Sequence, residues 1–126
     1  MKKILIIDDQ PNIRMMIRLT LSDKFEIVEA HNAEMALKQI HAKRPDAIVL
    51  DVMMPGTMNG FQLCEMVKKD PTLSIIYVIL VTACGQTEDQ ELGRALGADG
   101  YFIKPFSPLA LRQHLINALN VARAEE

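Results

Sequence analysis

Short apolar runs alternate with longer segments of helical period along the whole 126-residue chain. Five of these runs have the composition of strands. All but the second are apolar throughout, which is typical of strands that helices cover on both faces of a sheet. The predicted strands are Ile4–Ile7, Phe25–Glu29, Ala47–Leu50, Val78–Val81 and Tyr101–Ile103.

Each predicted strand is followed by a segment with the period and end signals of a helix. Asn32 is positioned to cap the second helix, and Thr87 with Gln90 forms a capping-box pattern at the start of the fourth. Ser107 precedes the fifth helix, with Pro in the first helical position. The predicted helices cover about Asn12–Ser22, Ala33–Lys43, Phe61–Lys68, Thr87–Gly97 and Ser107–Ala122.

Five successive strand-helix units predict an α/β fold, a parallel sheet with helices on both faces, because parallel strands need right-handed crossover connections. Ligands of such sheets bind beyond the carboxyl ends of the strands. Polar groups follow four of the predicted strands: Asp8 and Asp9 the first, Asp51 the third, Thr82 the fourth and Lys104 the fifth. We therefore expect three carboxylates, a hydroxyl and an ammonium group to meet at one edge of the sheet.

Composition fits one compact domain over residues 1–126, with 49% hydrophobic and 24% charged residues and no second domain in this chain. Cys64 and Cys84 form neither a CxxC pair nor a Cys/His cluster, which argues against a zinc site or a redox dithiol. The apolar stretch near the amino terminus is too short for a signal peptide or a membrane span, so a cytoplasmic location is expected. The net charge of -2 and the scattered Lys and Arg residues argue against direct binding of nucleic acid.

Carboxylates crowded at one edge repel each other, and two unit charges about 4 Å apart cost on the order of 4 kcal/mol at an effective dielectric of about 20. A cation is therefore needed, and an oxygen-rich site with open positions suits Mg²⁺. With Thr82 and Lys104, such a site matches phosphoryl transfer to a carboxylate nucleophile, for which Asp51 is the candidate. An Asp pair after a strand is, by itself, more often a turn or capping feature. It is the combination of four strand ends that favours the functional interpretation.

Four segments, ILIIDD, IVLDVMMPG, ILVTA and GADGYFIKPFSP, resemble the motifs of the bacterial response-regulator receiver domain, and the similarity covers about Lys3–Leu119. The resemblance implies a five-stranded, flavodoxin-like sheet of order 2-1-3-4-5. It also implies a signalling module of a two-component phosphorelay that catalyses only its own phosphorylation and dephosphorylation. The implied partners are a sensor histidine kinase or histidine phosphotransfer protein and a downstream effector or output domain. No membrane partner is implied, and the chain is expected to be a monomer or a phosphorylation-dependent dimer.

Carried over residue by residue, the resemblance makes Asp51 the phosphoacceptor. Thr82 would then donate a hydrogen bond to the phosphoryl group, and Lys104 would form an ion pair with it. The implied cofactor is Mg²⁺, with Asp8 acting largely through water. The implied metal site consists of Asp8, Asp9, Asp51 and the backbone carbonyl of Met53.

The resemblance further implies a switch built from Thr82 and Tyr101. A phosphoryl group brings roughly 1.5 to 2 negative charges, so the Thr82 hydroxyl gains a charged partner only in the modified state. Such a hydrogen bond contributes about 1.5 to 3 kcal/mol. Inward movement of Thr82 would vacate space for Tyr101 and change the face formed by the fourth helix, the fifth strand and the fifth helix. Pro105 matches a proline that often follows a cis peptide bond.

Three positions depart from the pattern or adjoin the site. The loop segment Gly56–Asn59 is one residue longer than usual, which affects the loop that carries Met53. Tyr77 stands where many members of the family have proline. Cys84, two residues after Thr82, is expected to be a small filler near the mouth of the site.

Two other classes of function are considered. Phosphatases with an aspartyl nucleophile usually have a second Asp two residues after the first, and Met53 stands at that position here. Flavin or nucleotide carriers share the predicted fold, but no Gly-rich or Ser/Thr-rich phosphate loop follows the first strand. The acidic pair there would repel phosphate in the absence of metal, so both alternatives are disfavoured.

Overall fold

The computed structural model describes residues 1–83 and 87–121, and within them strands and helices alternate as the hydrophobic pattern predicts. The strands are β1 (Lys3–Ile7), β2 (Glu26–Ala30), β3 (Ala47–Asp51), β4 (Tyr77–Thr82) and β5 (Gly100–Ile103). The helices are α1 (Pro11–Leu21), α2 (Ala33–Lys43), α3 (Gly60–Lys69), α4 (Thr87–Ala95) and α5 (Pro108–Ala118). None of the helices in these two ranges combines the length and the apolar character needed to cross a bilayer.

All five strands are parallel, and their order is β2-β1-β3-β4-β5, which confirms the predicted fold class and sheet order. Leu50 of β3 illustrates the register, because it pairs with Ile7 of β1 on one side and with Leu80 of β4 on the other. The chain order of the strands reverses at β1 and β3. The carboxyl ends of these two strands therefore border the crevice in which ligands of doubly wound sheets bind.

Two apolar layers cover the two faces of the sheet, because side chains alternate along each strand. Leu5 and Ile7 of β1 pack in the layer that contains the buried faces of α2 and α3. Ile4 and Ile6 pack in the opposite layer, with the buried faces of α1 and α5. The central strands are thus enclosed on both sides, which fixes the positions of their carboxyl ends.

Helix caps explain where several helices begin. The Asn32 side chain accepts a hydrogen bond from the Met35 N–H at the start of α2, and Ser107 Oγ accepts one from the Ala110 N–H at the start of α5. Both caps confirm the sequence prediction. At α3 the structure adds a capping box between Asn59 and Gln62, which the sequence prediction did not include.

Helices α4 and α5 differ from the prediction at their ends, and α4 ends at Ala95, two residues before the predicted Gly97. Thr87 is the first residue of α4 itself, so it does not precede the helix as a cap; the residue before it lies outside the described ranges. Helix α5 ends at Ala118, short of the predicted end at Ala122, which also lies outside those ranges. The earlier end has a local cause, because Asn120 has a positive φ of 57° and the Val121 N–H donates to the Ile116 carbonyl.

Gly60 lies where α3 packs most closely on the end of β3. A Cβ at this position would lie 2.4 Å from the Asp51 carbonyl oxygen and 2.6 Å from Val52 Cα. Because these are backbone atoms that cannot rotate away, Gly60→Ala is expected to lower the free energy of unfolding by about 2 to 3 kcal/mol in urea titration. Gly56→Ala is the control, since its Cβ would have only ordinary contacts and the cost comes from a φ of 110°. Gly56→Ala is expected to lower the free energy of unfolding by less, about 1 kcal/mol. Equal stability of Gly60→Ala and the parent chain would contradict the packing argument.

Candidate functional site

The polar groups that follow the strands lie at one edge of the sheet because the hydrogen-bond ladder continues past the strand ends. The Asp8 N–H donates to the Ala30 carbonyl at 3.2 Å, and the Val52 N–H donates to the Val81 carbonyl at 2.9 Å. The Lys104 N–H donates to the Thr82 carbonyl at 2.7 Å. These bonds hold the backbone on either side of the site in a fixed register.

Lys104 forms ion pairs with two carboxylates at this edge. Its Nζ lies 3.1 Å from Asp8 Oδ2 and 3.7 Å from Asp51 Oδ2. The Lys104 side chain is 20% exposed, whereas those of Asp8 and Asp51 are 4% and 5% exposed. The positive charge is therefore shared between two buried anions that lie in a medium less polar than water.

The second oxygen of each buried carboxylate accepts a backbone hydrogen bond. Asp8 Oδ1 accepts from the Gln10 N–H at 2.9 Å, and Asp51 Oδ1 accepts from the Met53 N–H at 3.1 Å. Both bonds join a carboxylate to the backbone two residues later, a geometry that Asp readily forms in turns. The side chains of Asp8 and Asp51 are thus oriented by their own loops and by Lys104.

Burial and, to a lesser extent, the negative charge of Asp8 raise the pKa of Asp51 to about 6. The Met53 N–H and the Lys104 ammonium act in the opposite direction and offset only part of this increase. Lys104 alone therefore does not neutralise the site. An additional cation near Asp51 would relieve the remaining repulsion.

Asp9 completes a group of three acidic residues that can hold a metal ion. Asp8, Asp9 and Asp51 each offer a carboxylate oxygen, and these oxygens lie within 4.8 Å of one another. Asp9 is exposed, whereas the other two are buried, so the group is open to solvent on the Asp9 side. Clustered hard oxygen donors with room for water fit a divalent cation.

Thr82 and Tyr101 lie on the neighbouring strands β4 and β5. Thr82 is buried, with 1% of its surface exposed, whereas Tyr101 is partly buried against the core. Tyr101 also borders α4, because a Cβ at Gly93 would lie 3.5 Å from two atoms of its ring. Tyr101 therefore lies between β5 and α4.

The remaining predicted site residues have clear positions, with one exception. The Met53 side chain is 67% exposed, while its backbone contacts Asp51. The peptide bond between Lys104 and Pro105 is cis. Cys84 lies outside the residues that the structure describes.

Arg14 is a site neighbour that the sequence prediction missed. Its Nη1 donates to the Asp8 carbonyl at 2.6 Å, and its Nε donates to Glu29 Oε1 at 3.0 Å. Arg14 thus holds the backbone of the first acidic loop against β2. The helical period placed Arg14 away from the apolar face of α1, but its contact with Asp8 depends on the curvature of the loop that precedes the helix.

Comparisons with known proteins point to one family. A family model described as the response regulator receiver domain matches residues 4–116. The phosphate regulon transcriptional regulatory protein PhoB of Pseudomonas aeruginosa is 41% identical over 111 residues, which cover 87% of this chain and 48% of that protein. The chain thus spans about half the length of the curated relatives it matches.

Solved structures match over nearly the whole chain. The chemotaxis response regulator CheY4 of Vibrio cholerae has a TM-score of 0.85 and 33% identity, with coverage of 93% of this chain and 98% of that one. The response regulator DrrB of Thermotoga maritima, described as an OmpR/PhoB homolog, has a TM-score of 0.87 and 30% identity. In that case the match covers 95% of this chain and 53% of the longer one.

Proposed function

This chain belongs to the response regulator receiver domain family, and from that premise we propose that it accepts a phosphoryl group on Asp51 in a reaction that requires Mg²⁺. The observation that carries the proposal is the bridge from Lys104 to two buried carboxylates, one of which is Asp51. A lone buried carboxylate would be protonated or paired with a single cation. Here a second carboxylate pairs with the same lysine, so the negative charge of Asp51 is only partly neutralised.

Asp51 is the proposed nucleophile. One of its carboxylate oxygens forms a bond to phosphorus while the bond between phosphorus and the nitrogen of a donor phosphohistidine breaks. The Met53 N–H and Lys104 hold the carboxylate in one orientation before the reaction. This fixed position reduces the entropic cost of bringing the nucleophile to the phosphorus atom.

Lys104 and Thr82 are the proposed ligands of the phosphoryl oxygens. The Lys104 ammonium already lies at the carboxylate edge, so a new anionic oxygen can be paired without a large movement of the side chain. Asp8, Asp9, Asp51 and the Met53 carbonyl are proposed to hold Mg²⁺. When bound, Mg²⁺ would neutralise charge on the carboxylates and on the transferred group.

The signalling step is proposed to pass from Thr82 to Tyr101. A hydrogen bond from the Thr82 hydroxyl to the phosphoryl group would draw the end of β4 toward Asp51. Tyr101 packs against Gly93 of α4, so this movement would change the packing of α4 on β5. A partner that contacts α4, β5 and α5 would then distinguish the two states.

The proposed partners are a sensor histidine kinase or a histidine phosphotransfer protein as donor and an effector or output domain as reader. We propose that residues 1–126 form one receiver domain and that it acts in the cytoplasm. PhoB is named as a transcriptional regulator and is about twice as long as the matched region. We propose that these 126 residues do not themselves bind nucleic acid, because Asp and Glu outnumber Lys and Arg by 16 to 14.

The direct test is intact-mass measurement after incubation with Mg²⁺ and a small acyl phosphate. One added phosphoryl group is expected, and peptide mapping should place it in the fragment that contains Asp51. The matched reaction contains EDTA and the same donor and should give no adduct. Failure of a range of acyl phosphates to modify the folded chain in the presence of Mg²⁺ would overturn the proposal.

Mg²⁺ alone is expected to stabilise the chain in the absence of any phosphodonor. A ligand that binds only the folded state raises the free energy of unfolding by about 2.7 kcal/mol at a concentration 100-fold above its dissociation constant. Thermal unfolding at increasing Mg²⁺ measures this effect. Asp9→Asn should weaken it, because the variant loses one of the three clustered carboxylates. An identical response of Asp9→Asn and the parent chain would exclude Asp9 from the metal site.

A further inference from the structure

The loop between β3 and α3 is anchored at both of its ends. At its start, the Met53 N–H donates to the Asp51 side chain. At its end, the Gly60 N–H donates to the Val52 carbonyl at 3.1 Å, and the Asn59 side chain caps α3. The middle of the loop is different, since Pro55, Gly56 and Thr57 are exposed.

One side-chain contact fixes this exposed apex. Thr57 Oγ1 donates to Glu34 Oε1 at 2.6 Å. The backbone at Gly56, which has a φ of 110°, lies near the same carboxylate. A Cβ at this position would lie 3.7 Å from both Glu34 oxygens. The hydrogen bond from Thr57 also lowers the pKa of Glu34, so the acceptor is ionised at neutral pH.

Glu34 belongs to the first turn of α2, which is a firm point of attachment. The Asn32 cap fixes the start of this helix, and Ala33 and Ala36 on either side of Glu34 are buried in the core. The position of Glu34 is therefore fixed, because α2 packs on the sheet. The contact joins a loop at the end of β3 to a helix that packs on β1 and β2.

We propose that Thr57 and Glu34 are positioning residues that set the loop for metal binding. The inference rests on the proposed function, which assigns the Met53 backbone carbonyl to Mg²⁺. The loop spans residues 52–59 between β3 and α3, and a flexible loop of this length has many conformations from which the bound one must be selected. The tether from Thr57 to Glu34 restricts the apex and thereby the backbone of Met53.

The test is calorimetric titration with Mg²⁺ alone, which needs no phosphodonor. Thr57→Val keeps the shape of the side chain and removes the donor. It is expected to weaken Mg²⁺ binding by roughly three- to tenfold, the range for loss of one exposed hydrogen bond. Thr57→Ser restores the hydroxyl and should restore the affinity. At saturating Mg²⁺ the extent of phosphorylation of Thr57→Val should equal that of the parent chain.

Thr72 offers a matched control at the opposite edge of the sheet. It is also exposed, and its hydroxyl donates to an Asp70 oxygen at 2.8 Å, so Thr72→Val removes an equivalent bond far from the loop. Its Mg²⁺ affinity should be that of the parent chain. A double variant, Thr57→Val with Glu34→Ala, should be no weaker than Thr57→Val alone, because both changes break the same contact.

The outcomes separate this inference from the proposed function. If the parent chain does not bind Mg²⁺, both are wrong. If the parent chain binds Mg²⁺ and Thr57→Val binds it equally well, the positioning role is wrong while the proposed function stands. A loss of affinity in Thr72→Val as large as that in Thr57→Val would also overturn the positioning role, since the effect would then be general.

Discussion

No phosphoryl adduct is expected on the Asp51→Asn variant after incubation with Mg²⁺ and a small acyl phosphate. The amide oxygen of Asn can still accept the Met53 N–H bond that Asp51 makes in the parent chain. It carries no charge and is a far weaker nucleophile than a carboxylate, so the attack on phosphorus fails while the loop is retained. Intact-mass measurement should therefore change from one phosphoryl group to none.

Asp70→Asn is the matched control for this experiment. Asp70 follows α3 at the amino-terminal edge of the sheet, away from the carboxylate cluster. This variant should accept one phosphoryl group as the parent chain does. An adduct on Asp51→Asn at the parent stoichiometry would show that a different side chain is the acceptor, and the assignment of Asp51 would be abandoned.

The strands were predictable because the central ones are buried on both faces. Ile4–Ile7, Ala47–Leu50 and Val78–Val81 are apolar at every position, so their limits agree with the structure to within one residue at each end. The second strand begins one residue later than predicted. The Phe25 N–H donates to the Leu21 carbonyl, so Phe25 closes the turn after α1 before the strand starts.

The meeting of Asp8, Asp51 and Lys104 was predictable from topology alone, because parallel strands bring their carboxyl ends to one edge. The contacts that orient these groups were not. The bonds from Arg14 to the Asp8 carbonyl and from Thr57 to Glu34 join segments 6 and 23 residues apart, and no periodic pattern encodes either pair. They depend on loop curvature, which the hydrophobic pattern does not specify.

In the absence of Mg²⁺, Asp51→Asn is also expected to be more stable than the parent chain at pH 8. Burial and the charge of Asp8 raise the pKa of Asp51 to about 6 in the folded state, against about 3.9 in the unfolded chain. The folded state therefore holds this proton more tightly, so stability falls as pH rises from about 4 to about 6 and stays lowered at higher pH, where Asp51 is ionised in both states. Two pKa units correspond to about 3 kcal/mol, and because the raised pKa already includes the attraction to Lys104, this is the gain in stability expected for the variant.

The pH dependence gives the sharper test, because it fixes the sign of the effect. As pH falls from 6 to 4, Asp51 takes up its proton in the folded state first, so the parent chain approaches the stability of Asp51→Asn. Asp70→Asn should show the opposite sign, since the Thr72 hydroxyl lowers the pKa of Asp70 and its ionised form stabilises the folded chain above pH 4. Urea unfolding at several pH values measures both differences. Because Mg²⁺ would neutralise the carboxylates, saturating Mg²⁺ should make the parent chain more stable than Asp51→Asn. If Asp51→Asn is more stable than the parent chain by the same amount at every pH, repulsion at Asp51 is not the cause of the difference.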